Sequence, residues 1–129
     1  MKKILFYCLF LFSFLTSQNV TSAVLATSNP LIDGDVLNDL AWNDVPAVTT
    51  FIQKTPDEGD SVSENTVVKV MYSDKIFYVS VVCYDSKPNE IVISDTRRDS
   101  PLNNSDSFSF IIDTFQDYQT GYLFGTNPA

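Results

Sequence analysis

Two strand-like runs separated by three turn residues dominate the middle of the chain. Thr66 to Tyr72 places Val68, Val70 and Tyr72 on one face and Val67, Lys69 and Met71 on the other. That is the period of two of a pleated strand. Ser73-Asp74-Lys75 supplies turn chemistry, and Ile76 to Tyr84 resumes with mostly β-branched and aromatic residues. Such a pair predicts a β-hairpin. The second run has few polar interruptions, which predicts a central strand covered on both faces. Asp85-Ser86-Lys87-Pro88-Asn89 ends it, because proline cannot extend a ladder and asparagine favours turns.

The remaining segments read the same way. Ile91 to Ile93 fits a short strand, and Arg97 to Ser105, with Pro101 inside it, an exposed loop. Ser107 to Asp113 puts Phe108, Phe110 and Ile112 on one side, while Ile111 breaks the polar face of Ser107 and Ser109 and predicts partial cover there. A last strand is expected over Gly121 to Thr126. An earlier edge strand is expected over Val48 to Gln53, followed by a Pro-Asp-Glu-Gly-Asp loop at 56 to 60. The one helical signal is a turn around Leu37 to Trp42, which Asp35 or Asn38 is placed to cap. Many short strands with turns between them predict an all-β antiparallel sandwich. Five or six strands are fewer than a complete two-sheet sandwich uses, so the chain reads as the N-terminal part of a longer protein.

Ahead of these strands, Lys2-Lys3 leads into an apolar run from Ile4 to Leu15, and polar Ser17-Gln18-Asn19 follows without a basic cluster. The run is too short to span a bilayer comfortably. It predicts a cleavable signal peptide over residues 1–26 and an exported protein, periplasmic, outer-membrane or extracellular, with no transmembrane helix in the mature part. Cleavage fits after Ala23, with Thr21 at the third position back, or after Ala26, with Val24 there. Cys8 lies inside the apolar run, whereas a lipid-modified cysteine follows it. Losing Lys2 and Lys3 leaves six basic side chains against 16 acidic ones. Such acidity argues against nucleic acid and anionic membrane faces as partners, because both are bound through Lys and Arg. Cys83 would be the only mature cysteine, which precludes an internal disulfide, and its Val-Val-Cys-Tyr setting predicts a buried apolar thiol. The sequence has no histidine, so His-based triads and His general bases have no residue to use.

The ordered set Ile32-Asp33-Gly34 and Trp42, Thr66-Val67-Val68-Lys69-Val70-Met71-Tyr72, Phe77-Tyr78-Val79, Asp85, and Asp106-Ser107-Phe108 through Asp113 resembles the family 9 carbohydrate-binding modules. The resemblance implies a calcium-containing β-sandwich of the kind found on xylanases and related secreted proteins. Phe51 to Gly59, Arg97-Arg98-Asp99 and Asp113 to Tyr122 with Asn127-Pro128 look like a subgroup that carries this module at its N-terminus. That subgroup continues into a large domain of unknown function in the Gram-negative envelope, which would lie beyond Ala129.

Sugar sites combine flat aromatic faces, on which a pyranose stacks, with polar groups for its hydroxyls. In the resemblance Trp42 belongs, with Asp33 and Gly34, to the opening motif as a plug under the sandwich. The family's stacking tryptophan lies in the loop before the Asp106 strand, where this chain reads Pro101-Leu102-Asn103-Asn104. Carbohydrate-contacting candidates are therefore Arg97, Arg98, Asn103 and Asn104, with Tyr72, Tyr84 or Tyr122 as substitute platforms. The arginines would grip a carboxylate or a uronic acid; otherwise they pair with Asp95, Asp99 or Asp106 and pin the loop. Asp85, Asp99 and Asp106 are the candidates for structural Ca²⁺, which takes carboxylate and carbonyl oxygens from loops. A two-carboxylate hydrolase is not built from Asp106 and Asp113, which lie about 23 Å apart along an extended chain and point to opposite faces. The expectation is a non-catalytic glycan-binding module. The alternatives are an interaction sandwich that has lost its sugar clamp, which the absent loop tryptophan favours, and an accessory domain of a glycoside hydrolase whose catalytic part lies elsewhere.

Overall fold

A computed structural model of the chain describes residues 20–129, so most of the predicted leader lies outside the described residues. Six strands follow in order: β1 (Val24–Leu25), β2 (Ala47–Val48), β3 (Thr66–Tyr72), β4 (Phe77–Cys83), β5 (Phe108–Ile112) and β6 (Tyr122–Thr126), with 3₁₀ turns at Leu40–Trp42 and Pro88–Glu90. The protein is thus mainly β. No helix of the described residues is long and apolar enough to cross a membrane.

β3 and β4 form the predicted hairpin in continuous register, from Thr66 opposite Cys83 to Tyr72 opposite Phe77. Ser73 N–H donates to the Ile76 carbonyl at the turn, and Tyr84 N–H donates to the Asn65 carbonyl at the open end, both at 2.8 Å. The second edge of β3 is shared. Ala47 and Val48 of β2 lie antiparallel to Lys69 and Val68. Val24 and Leu25 of β1 run parallel to Met71 and Tyr72. No strand among the described residues pairs with the outer edge of β4. Antiparallel alternation, fixed by the two flanking bonds, turns the backbone of Tyr78, Ser80 and Val82 toward β3 and that of Phe77, Val79, Val81 and Cys83 outward.

One face of this sheet is the core. Met71 is fully buried opposite Tyr78, and Trp42 and Val45 close over them, with Val24, Ala26, Val36 and Ala41 packed around. Trp42 reaches this place because Asp39 organises the chain before it. Its Oδ1 accepts the Ala41 N–H at 2.9 Å and its Oδ2 accepts the Leu31 N–H at 2.8 Å. Upstream, Asp33 Oδ1 accepts the Asp35 N–H at 2.9 Å, and Gly34 takes φ +88°, a left-handed conformation that a side chain would disfavour. Lys69 also lies on the core face. Its Nζ donates to the Trp42 carbonyl at 2.6 Å, so the stem packs inward and the ammonium satisfies the end of the 3₁₀ turn.

Several local expectations change. β4 is an edge strand among the described residues: only Tyr78 and Ser80 are buried, and its apolar odd-numbered residues face an open side. Cys83 belongs to that side and is exposed, not a buried thiol. The 3₁₀ turn is capped by Asp39, while Asp35 instead accepts from Asn38. The predicted strand over 48–53 shortens to β2 because the chain then bends back on itself. Ile52 bridges Ser61, and Gln53 exchanges backbone bonds with Gly59 and Asp60, each 2.9 Å. Ile91 to Ile93 makes no ladder. Val92 is bracketed instead by Asp106, whose Oδ2 takes its N–H at 2.7 Å and whose N–H donates to its carbonyl at 2.9 Å.

β5 and β6 form a separate two-stranded sheet with Phe110 opposite Phe124. Those rings stack with centroids 5.3 Å apart, and Phe108 lies 6.1 Å from Phe110. Every residue of β6 is exposed.

Candidate functional site

A half-open cleft of about 510 Å³ lies between the Thr66 and Cys83 end of the larger sheet and the Phe108 and Thr126 end of the smaller one. Its walls mix aromatic and aliphatic surface (Tyr84, Phe108, Val81, Ile91) with carboxylates and amides (Glu64, Asp85, Asp106, Asn127). Each polar group is positioned by a local bond. Glu64 Oε1 accepts both the hydroxyl and the N–H of Ser86, which lowers the Glu64 pKa below its ordinary value, the hydroxyl being the larger cause. Asp85 Oδ1 accepts the Lys87 N–H at 2.6 Å. Asn127 donates its side-chain N–H to the Asp95 carbonyl at 2.7 Å, which ties the end of β6 to the neighbouring loop.

The predicted cation ligands are therefore divided. Asp85 and Asp106 line this cleft, together with Glu64. Asp99 lies in the 97–100 loop at φ 60°, with its carboxylate 3.6 Å from the Arg98 Nε. No group of three or more His, Cys, Asp or Glu among the described residues is placed to hold a metal ion. Asp99 is not among the residues that line the cleft.

The predicted sugar-contacting residues are divided as well. Arg97 and Arg98 line a shallow recess with Asp95, Leu102 and Asn127. Asn103 and Asn104 are exposed in the adjoining turn, which the Ser105 N–H closes onto the Leu102 carbonyl at 3.1 Å. Arg97 is already engaged. Its Nε and a terminal nitrogen grip both oxygens of Asp95 at 2.6–3.2 Å. This fork lowers the Asp95 pKa, with a further backbone contribution, and raises that of Arg97. Both arginines thus pair with nearby acids, as the loop-pinning alternative expects. Trp42 lies in the core, while Tyr72, Tyr84 and Tyr122 are exposed. Of these three, Tyr84 lines the cleft.

Two cleft residues, Glu64 and Asn127, are not among the candidate site residues that the sequence suggests, although Asn127 belongs to the subgroup resemblance. Glu64 was within reach of a sequence argument, since the hairpin register carried one step past Asn65 and Tyr84 sets it beside Asp85-Ser86. The resemblance quotes Asn127 with Pro128 but gives it no place in a site.

The loop joining β5 to β6 is ordered by carboxylates. Asp113 accepts N–H groups from Phe115 at 3.1 Å and Tyr118 at 2.9 Å, and Asp117 accepts from Gln119 and Thr120 at 2.8 Å. These bonds hold Gln116 and Tyr118 at φ 54° and 57°, which non-glycine residues adopt at a cost. Tyr118 stands almost wholly in solvent at the tip. The Asp113 pKa is lowered, chiefly by the Tyr118 N–H. A lowered native pKa means that the ordering is present above the ordinary value of 3.8 and is lost as pH falls through the native one. The Tyr118 amide resonance is expected to titrate with a midpoint below 3.8, and Asp113→Asn should abolish that titration. A midpoint at or above the ordinary value would contradict the assignment.

No protein-family model, curated protein or solved structure matches the chain.

Proposed function

We propose that this chain is a non-catalytic, glycan-binding β-sandwich module of an exported protein, acting to hold an attached domain on a polysaccharide of the xylan or cellulose type. The observation that carries the reading is the cleft, which the exposed Tyr84 lines beside carboxylate and amide residues. Aromatic surface for the C–H face of a sugar beside acceptors and donors for its hydroxyls is the combination glycan recognition requires. Tyr84 takes the platform role because Trp42 is committed to the core. In this reading the two sheets are the facing layers of the sandwich, and a C-terminal continuation supplies the remaining strands and the attached domain. A calcium contribution rests on Asp85 and Asp106, the two predicted ligands that share the cleft.

Titration calorimetry against xylan and cello-oligosaccharides tests the proposal. Binding is expected with at least one glycan, and Tyr84→Ala should weaken it about tenfold, a loss of roughly 1.4 kcal/mol. Absence of heat with every glycan would overturn the glycan reading. EDTA should lower Tm if calcium takes part, and an unchanged Tm removes calcium from the account. A protein-interaction sandwich is favoured by one specific observation, the exposure of the apolar and aromatic residues Tyr122, Leu123 and, in part, Phe124 on β6. Tight binding of a protein in the absence of any glycan response would select it.

A further inference from the structure

We infer that the mature chain begins at Val24, the export-linked peptidase cutting after Ala23 and not after Ala26. This rests on the exported reading above and goes beyond it. The two positions are equivalent in residue size, but the fold distinguishes their products. β1, Val24–Leu25, pairs with Met71 and Tyr72. The Ala26 N–H donates to the Tyr72 carbonyl at 2.8 Å. Val24 and Ala26 pack against the cluster of Trp42, Met71 and Tyr78.

A cut after Ala26 would remove all of these contacts at once. It would open the edge of β3 beside Met71, the one fully buried side chain among the described residues, and expose its backbone groups. A cut after Ala23 removes nothing from the sheet, because residues 20–23 precede β1 and belong to no strand. Hydrolysis adds one water across the Ala23–Val24 peptide bond, leaving a carboxylate on Ala23 and an ammonium on Val24. That ammonium then sits at the start of a paired strand.

The test is to express the full chain in a Gram-negative host, recover it from the periplasm, and determine its N-terminus by intact mass and Edman sequencing. Val24 is the expected first residue. A chain beginning at Thr27 would overturn this inference while leaving export intact, and an uncut, cell-retained chain would overturn the export reading itself. Ala23→Leu removes the small residue at the first site and should divert cleavage to Ala26. The resulting protein should have a lower Tm or fail to accumulate. A diverted product as stable as the wild type would equally overturn the inference.

Discussion

Trp42→Ala is expected to destabilise the protein by about 3–5 kcal/mol, the usual range for removing a large buried aromatic side chain. Only 4% of Trp42 is exposed, and its indole covers the face on which Met71 and Tyr78 lie. Loss of the ring also removes what holds the Leu40–Trp42 turn down, and with it the carbonyl that receives the Lys69 ammonium. Since domains of this size have only about 5–15 kcal/mol in hand, the variant should be close to unfolded at 37 °C. Urea denaturation followed by far-UV circular dichroism reads the effect without relying on the lost fluorophore. A midpoint equal to the wild type would show that Trp42 lies at the surface and is free for other work.

Met71→Ala should cost about 2–5 kcal/mol through the lost transfer energy and the cavity left behind. Met71 has no exposed surface, lies opposite Tyr78 on β4 and sits beside Val24 of β1. The cavity would therefore open where three strands meet, and little can collapse into it. Met71→Leu keeps most of the volume and should cost less than about 1.5 kcal/mol. If the two variants lose the same stability, the site is governed by something other than packing.

The β3–β4 hairpin was legible because side-chain period and turn chemistry agree there, and those two signals fix its register. Trp42 was legible as core through its place in the opening motif, although the reason it stays there, the two-oxygen clamp of Asp39 on Leu31 and Ala41, was not. Arg97 and Asp95 could be foreseen as a pair because they are two residues apart. The position of β4 in its sheet could not, since an apolar strand reads alike whether a neighbour covers its second side or solvent does. The cleft was the least legible feature. It is assembled from residues between Glu64 and Asn127 that meet only once two sheets are placed, and no local pattern encodes that meeting. Asp99 shows the same limit from the other direction. It has the right chemistry for the predicted ligand set, but its loop pairs it with Arg98, and it does not line the cleft that Asp85 and Asp106 share.

The one-sided pairing of β4 gives the strand a two-beat rhythm in its amide chemistry. The N–H groups of Tyr78, Ser80 and Val82 are engaged by β3, whereas those of Phe77, Val79, Val81 and Cys83 face away from it. Deuterium from solvent should therefore enter every second position quickly and the intervening ones only when the hairpin opens. The side chains of the same four residues project onto one face of the sheet, perpendicular to the row of N–H and C=O groups, which among the described residues forms an unpaired edge. Whatever lies down along β4, from this polypeptide or another, must match its own hydrogen-bonding residues to those four and would silence the alternation when it does.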